Sequence, residues 1–190
     1  MKRLFVAVDV DESTRAEIAA LSARVKEQAV ATLNRTRITW VHPDRLHLTL
    51  EFFGDAGEAI EQRVMTALAA PFSIAPFRLS FDGLGIFPRS GTPRVLWLGI
   101  AEGLTGLRAL HGELRARLGD AAMPADEFNP HLTLARFRDR VSRLDVKGMA
   151  LMKAAAGPCS IDRVTLYESH LSPKGPTYTQ VAQGAFAPCT

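Results

Sequence analysis

The chain has 190 residues, 47% of them hydrophobic and 23% charged, with a formal net charge of +3. That is enough apolar material for a full core and far from the composition of a disordered chain, while the mildly basic balance permits a polyanionic partner without requiring one. Two cysteines without C-x-x-C spacing, Cys159 and Cys189, exclude a disulfide framework and read as reduced thiols of a cytosolic protein.

Met1-Lys2-Arg3 leads into the apolar run Leu4-Phe5-Val6-Ala7-Val8, but Asp9, Asp11 and Glu12 end it too early for a signal-peptide core. No stretch approaches the roughly 18 apolar residues of a membrane helix, so cytoplasmic residence and no membrane contact are expected. Residues 4–10 are β-branched and aromatic and predict a buried strand. Asp11 and Ser13 compete to cap the helix that follows. Ile18, Leu21, Val25 and Ala29 recur at helical spacing and predict an amphipathic helix over 13–33.

A short strand is predicted over 36–41, ending at a His42-Pro43 turn, then a strand over 46–53 closed by Gly54 and a helix over 58–70 stopped by Pro71. Phe77, Leu79 and Phe81 alternate with Arg78 and Ser80, the pattern of a half-buried strand. Residues 83–91 carry Gly and Pro and read as a connection, and the segment 87–94, with Arg89 and Arg94, reads as a basic loop for an RNA backbone or as a solvated link between strands. Residues 94–100 form an apolar strand. Leu104, Leu107, Leu110, Leu114 and Leu118 share one helical stripe that ends near Gly119, and residues 119–130 read as a polar loop. A strand over 131–137 follows, then a helix over 144–155 ended by Gly157-Pro158. Strands over 161–171 and 178–186 are joined by the turn Ser172-Pro173-Lys174-Gly175. The mixture of helices with adjacent strand pairs predicts an α+β fold with largely antiparallel sheet.

One internal repeat carries chemistry. His47-Leu48-Thr49-Leu50 recurs as His131-Leu132-Thr133-Leu134, one copy in each half, with Phe53 and Phe137 each six residues after its histidine and Pro43 and Pro130 ahead of the tetrads. In a strand, residues i and i+2 share a face. His47 and Thr49 therefore point one way and Leu48 and Leu50 the other, and the second copy repeats this. Two such lobes facing across a cleft bring two imidazoles and two hydroxyls into one space. Opening a phosphodiester requires a base to activate the nucleophile and an acid to protonate the leaving oxygen. Histidine serves either role near neutrality, and threonine hydroxyls donate to non-bridging phosphate oxygens. A zinc site is the competing reading, but the tetrads carry no adjacent carboxylate and threonine is a poor ligand, so no metal and no cofactor are expected. His42, His111 and His170 lack the tetrad context and read as ordinary surface or core histidines.

These residues resemble the 2H phosphoesterase superfamily, and more closely its bacterial and archaeal RNA 2′,3′-cyclic phosphodiesterases, historically called 2′-5′ RNA ligases. The segments that carry the resemblance are 3–8, 40–41, 46–54, 87–89, 93–99, 130–136 and 166–169, in the family's order. The resemblance implies one domain over residues 1–190, built as two pseudo-symmetric lobes of antiparallel sheet with outer helices around a central cleft. It implies a cytoplasmic, monomeric enzyme that opens the 2′,3′-cyclic phosphate at an RNA end, tRNA fragments among the candidate substrates, to a 2′-phosphomonoester. By motif, His47 is the proton donor, His131 the proton acceptor, and Thr49, Thr133 and Arg136 bind the phosphate. Phe5, Tyr167 and Ser169 are possible substrate contacts.

Strand parity opposes the Arg136 assignment, because a residue five after His131 faces the other way unless a bulge intervenes. The same parity places Glu51 beside His47 and Thr49, where relatives often carry lysine and where its charge weakens the positive field. Three other functions compete with hydrolysis: 2′-5′ ligation by the reverse chemistry, non-catalytic binding of RNA ends, and hydrolysis of small cyclic phosphates.

Overall fold

The computed structural model of the chain describes residues 1–123, 127–172 and 175–187. Pro173 and Lys174 of the predicted turn, part of the predicted 119–130 loop, and Cys189 lie outside the described residues. Among the described residues nine strands, four α-helices and two short 3-10 turns follow in the order β1 (Lys2–Asp9), α1 (Glu12–Thr32), β2 (Ile38–Trp40), the turn Pro43–Arg45, β3 (His47–Ala56), α2 (Glu58–Ala69), β4 (Phe77–Phe87), β5 (Val95–Glu102), α3 (Leu104–Leu118), the turn Gly119–Ala121, β6 (Leu132–Phe137), α4 (Arg143–Ala150), β7 (Ala155–Ile161), β8 (Arg163–His170) and β9 (Thr177–Ala185).

All the strand pairings within the sheet are antiparallel, in the order β7-β4-β5-β6-β3-β1-β8-β9 with β2 added beside β6, and the sheet is curled. The two expected lobes are the two halves of this one sheet. They meet where β3 pairs with β6 through the single register pair Leu48–Leu132. What holds the halves together is the exchange of helices. α1 follows β1 in one half but packs on β7 and α4 in the other. α3 follows β5, yet its Arg115 reaches Glu51 on β3 and its Arg117 lies over Phe72. One buried cluster therefore runs through both halves, from Leu4, Val6 and Val8 to Leu96, Leu98, Leu132 and Leu134.

The local signals explain most boundaries. Asp11 prevails over Ser13 as the α1 cap, accepting from Thr14 N at 2.8 Å, and Ile18, Leu21, Val25 and Ala29 are the buried face. Three predicted boundaries are corrected. Gly54 does not close β3; the strand continues to Ala56 and Gly54, at φ +64°, takes up a shift in the β1–β3 register. β4 runs through the predicted 83–91 connection as far as Phe87, with Gly83 at φ +74° beside a second shift. The predicted helix over 144–155 stops at Ala150; residues 155–161 are strand β7, which lies at the sheet edge and so accommodates Pro158.

Candidate active site

The His-Leu-Thr-Leu copies lie side by side at the seam of the sheet. Leu48 pairs with Leu132, and in an antiparallel register this sets His47 across from Thr133 and Thr49 across from His131. Each histidine therefore faces the other tetrad's threonine, at the ~4.5–5.5 Å Cβ spacing of cross-strand neighbours. Leu48, Leu50, Leu132 and Leu134 are buried on the opposite face, as the alternation predicts.

The two histidines are held alike. His47 Nδ1 donates to the Arg45 carbonyl at 2.7 Å, and His131 Nδ1 donates to the Asn129 carbonyl at 2.8 Å, each bond reaching back two residues. A carbonyl only accepts, so Nδ1 carries the hydrogen and Nε2 is left for chemistry in the cleft. Aromatic rings brace both imidazoles: Phe5 and Tyr178 against His47 at 4.9 and 5.3 Å between centroids, Phe87 and Trp97 against His131 at 4.9 and 6.2 Å. Gly85 is required here, because a Cβ on it would stand 2.1 Å from the Trp97 ring.

Both tetrads open on a cavity of about 570 Å³. Among the described residues its lining includes Arg3, Arg45, Arg136 and Arg138 and no carboxylate. Burial pushes both histidines below their usual pKa, and the Arg136 guanidinium pushes in the same direction. The two then differ. Asp9, the cross-strand partner of His47, supports the charged form of that ring. Asp9 is fixed by Thr165 Oγ1 and the Tyr167 hydroxyl, which donate to its two oxygens at 2.9 Å each. In the other half, Trp97 pairs with Thr133 as Ala7 pairs with Thr49. Continuing that register puts Gly99 where the first half has Asp9, and a Cβ on Gly99 would stand 2.7 Å from the Asp82 carbonyl. Among the described residues no carboxylate supports His131.

The parity conflict over Arg136 is resolved by a bulge. Leu96 pairs with Ala135 and Trp97 with Thr133, so one residue of β6 is unmatched. Leu134 and Ala135 both bury, and Arg136 returns to the side of Thr133 and lines the cavity. The same irregularity occurs in β3, where Val6 pairs with Glu51 and Ala7 with Thr49. Leu50 and Glu51 both bury and Phe52 takes the cleft side. The expectation that Glu51 shares a face with His47 is therefore corrected. Glu51 is 5% exposed and faces α3, where it accepts from Arg115 Nη1 at 3.0 Å and from Met123 N at 3.0 Å and lies 3.4 Å from His111 Nε2. The cleft keeps its positive character.

Of the other predicted contacts, Ser169 lines the cavity. Phe5 lines it too but is 3% exposed and rests on His47 and Tyr167, so its ring is a wall behind the imidazole. Tyr167 reaches Asp9 instead of the cavity. The 88–94 connection is pinned by Arg143, which donates to the Pro88 and Gly91 carbonyls, and it does not line the cavity. Asp9, Tyr178, Arg3, Arg45, Phe52 and Arg138 are cleft or cleft-supporting residues that sequence reasoning did not single out. Residues 4–9 and 94–99 lie on corresponding strands but share no residue at matched positions, so nothing in the sequence marks Asp9. No three His, Cys, Asp or Glu side chains group as a metal site, and no helix is long and apolar enough to cross a membrane, among the described residues.

The 2′-5′ RNA ligase superfamily matches residues 24–173. An RNA 2′,3′-cyclic phosphodiesterase of Archaeoglobus fulgidus is 33% identical over 177 residues, covering 93% of this chain and 96% of that one. An RNA 2′,3′-cyclic phosphodiesterase of Thermus thermophilus is 35% identical, over 93% of this chain and 86% of its own. Among solved structures, E. coli LigT in complex with ATP superposes with a TM-score of 0.72 at 27% identity, covering 97% of this chain and 98% of that one.

Proposed function

The chain belongs to the 2′-5′ RNA ligase superfamily, and from that premise we propose that it is an RNA 2′,3′-cyclic phosphodiesterase, with residues 1–190 forming one two-lobed domain whose halves each contribute a tetrad. The observation that carries this reading is the pair of imidazoles held by the same backbone bond on adjacent strands that line one basic cavity. Relatives that share about a third of the sequence over most of both chains, and are named for this activity, support it.

In the proposed reaction the cyclic phosphate lies between the tetrads. Thr49 and Thr133 hydroxyls and the Arg136 guanidinium hold its non-bridging oxygens, where negative charge grows as water adds. His131 Nε2 takes a proton from the attacking water, the new P–O bond forms, and the bond from phosphorus to the 3′ oxygen breaks. His47, as imidazolium, gives its Nε2 proton to that oxygen, leaving a 2′-phosphomonoester and a 3′ hydroxyl. The charge distribution supports these roles: Asp9 favours a protonated His47, and among the described residues no carboxylate favours a protonated His131. The reaction uses no metal in this scheme.

Ligation is the same chemistry with a 5′ hydroxyl in place of water. Water at about 55 M outcompetes a dilute RNA end unless a second binding site raises its local concentration. An RNA with a 2′,3′-cyclic end is therefore expected to be hydrolysed whether or not a 5′-hydroxyl RNA is added, and as fast in excess chelator as without it. Joined product in excess over hydrolysed product would favour the ligase. Loss of turnover on chelation, restored by one metal, would overturn the metal-free scheme.

A further inference from the structure

Phe52 sits where regular alternation does not put it. The bulge at Leu50 and Glu51 turns its ring onto the cleft face, beside Phe5 in the β1–β3 register, and 43% of it remains exposed. A large aromatic ring at the wall of a solvent-open cavity loses nothing by being covered. The Arg3 guanidinium lies 5.0 Å from the ring centroid, and both residues line the cavity beyond His47 and Phe5. The equivalent position in the other half, five residues after His131, is Arg136. The two halves thus place different groups at matched positions: a guanidinium for a phosphate on one side, a π-face with an adjacent cation on the other.

We propose that Phe52 and Arg3 form a subsite for the nucleotide on the 5′ side of the cyclic end, with its base stacked on Phe52 and its backbone phosphate near Arg3. Stacking on an exposed aromatic ring is tolerant of base identity, and the neighbouring cation suits a single-stranded RNA backbone. The subsite rests on the proposed activity for its location. It makes the enzyme prefer RNA ends to cyclic mononucleotides, since a mononucleotide fills the site between the tetrads and leaves Phe52 bare.

The test compares a dinucleotide with a mononucleotide, each as the 2′,3′-cyclic substrate for kcat/KM and as the 2′-phosphate for equilibrium affinity. Phe52→Ala and Phe52→Leu, the second keeping apolar bulk without a ring, are each expected to lower the dinucleotide-to-mononucleotide ratio about tenfold in both measurements. Phe52→Trp is expected to keep it, and Arg3→Ala to lower it while reducing its salt dependence. An unchanged ratio in Phe52→Ala, or a parallel fall for both ligands, would overturn the subsite and leave hydrolysis standing. Wild-type protein that binds the dinucleotide preferentially but hydrolyses neither substrate would sink the hydrolytic reading and leave the subsite standing.

Discussion

Alanine at His47 or at His131 is expected to lower kcat by roughly 10²–10⁴-fold, each on its own, with the fold intact. The magnitude is that of one proton transfer in the rate-limiting step. Neither ring is a core strut: each makes a single backbone hydrogen bond, at the start of its strand, while the leucines of the tetrads carry the burial. The two losses are not expected to add, because a site without its base gains little from retaining its acid. The pH dependence follows from the environment of each ring. The base must be neutral and the acid protonated, so kcat/KM forms a bell bounded by the two imidazoles of the free protein. Burial lowers both, which sets the bell on the acid side of neutrality. A bound anionic phosphodiester stabilises imidazolium, so the bell in kcat lies at higher pH. Around His47 the charged and titratable neighbours are Asp9, Arg136, His131 and Tyr178, with Arg45 alongside. Asp9→Asn removes the carboxylate that raises His47. Its pKa then falls further, less of the acid is protonated at neutral pH, and the alkaline limb of the bell moves to lower pH. An alkaline limb unmoved in Asp9→Asn would contradict the assignment of His47 as the acid.

Glu51→Ala is expected to cost about 3 kcal/mol of stability, read as a lower urea midpoint. The carboxylate is buried and ties together strand β3, helix α3 and the Met123 backbone. Removing it takes from Arg115 Nη1, His111 and the Met123 N–H the carboxylate they share. The cost falls at the lower end of that for breaking a buried pair because the Arg115 side chain is 25% exposed and keeps its bond to the Met123 carbonyl. Glu51→Gln, which retains one acceptor oxygen, is expected to cost less. Turnover per folded molecule is expected to persist in both, since Glu51 faces away from the cavity. A loss of rate without loss of stability would return its charge to the cleft.

The residues that deceived parity share one cause. Alternation reads a strand correctly as long as the strand is regular, which is why His47 with Thr49, and His131 with Thr133, were legible in the sequence. A bulge is set by register against the neighbouring strand, which leaves no local mark, and both tetrads meet one at their last leucine. Beyond that point Glu51, Phe52 and Arg136 each lie on the face opposite to the one that counting assigns. Glycine deceived in a similar way. Gly54, Gly83 and Gly157 read as breaks, yet each adopts a positive φ inside a strand of a strongly curled sheet. The helix predicted over 144–155 ends in Ala154-Ala155, but pairing of Ala155 with β4 overrides helix there. The exchange of α1 and α3 between halves was not legible at all, because an amphipathic stripe says that a face is buried and not what buries it. The repeat, by contrast, announced the two halves and the shared cleft in full.

The most direct measurement is the position of the phosphate after turnover. With an RNA bearing a 2′,3′-cyclic end, in excess chelator, phosphorus NMR of the product is expected to show only the 2′-phosphomonoester, because in the proposed reaction His47 protonates the departing 3′ oxygen. A 3′-phosphomonoester, a mixture of the two, or no turnover without added metal would contradict the two-histidine account.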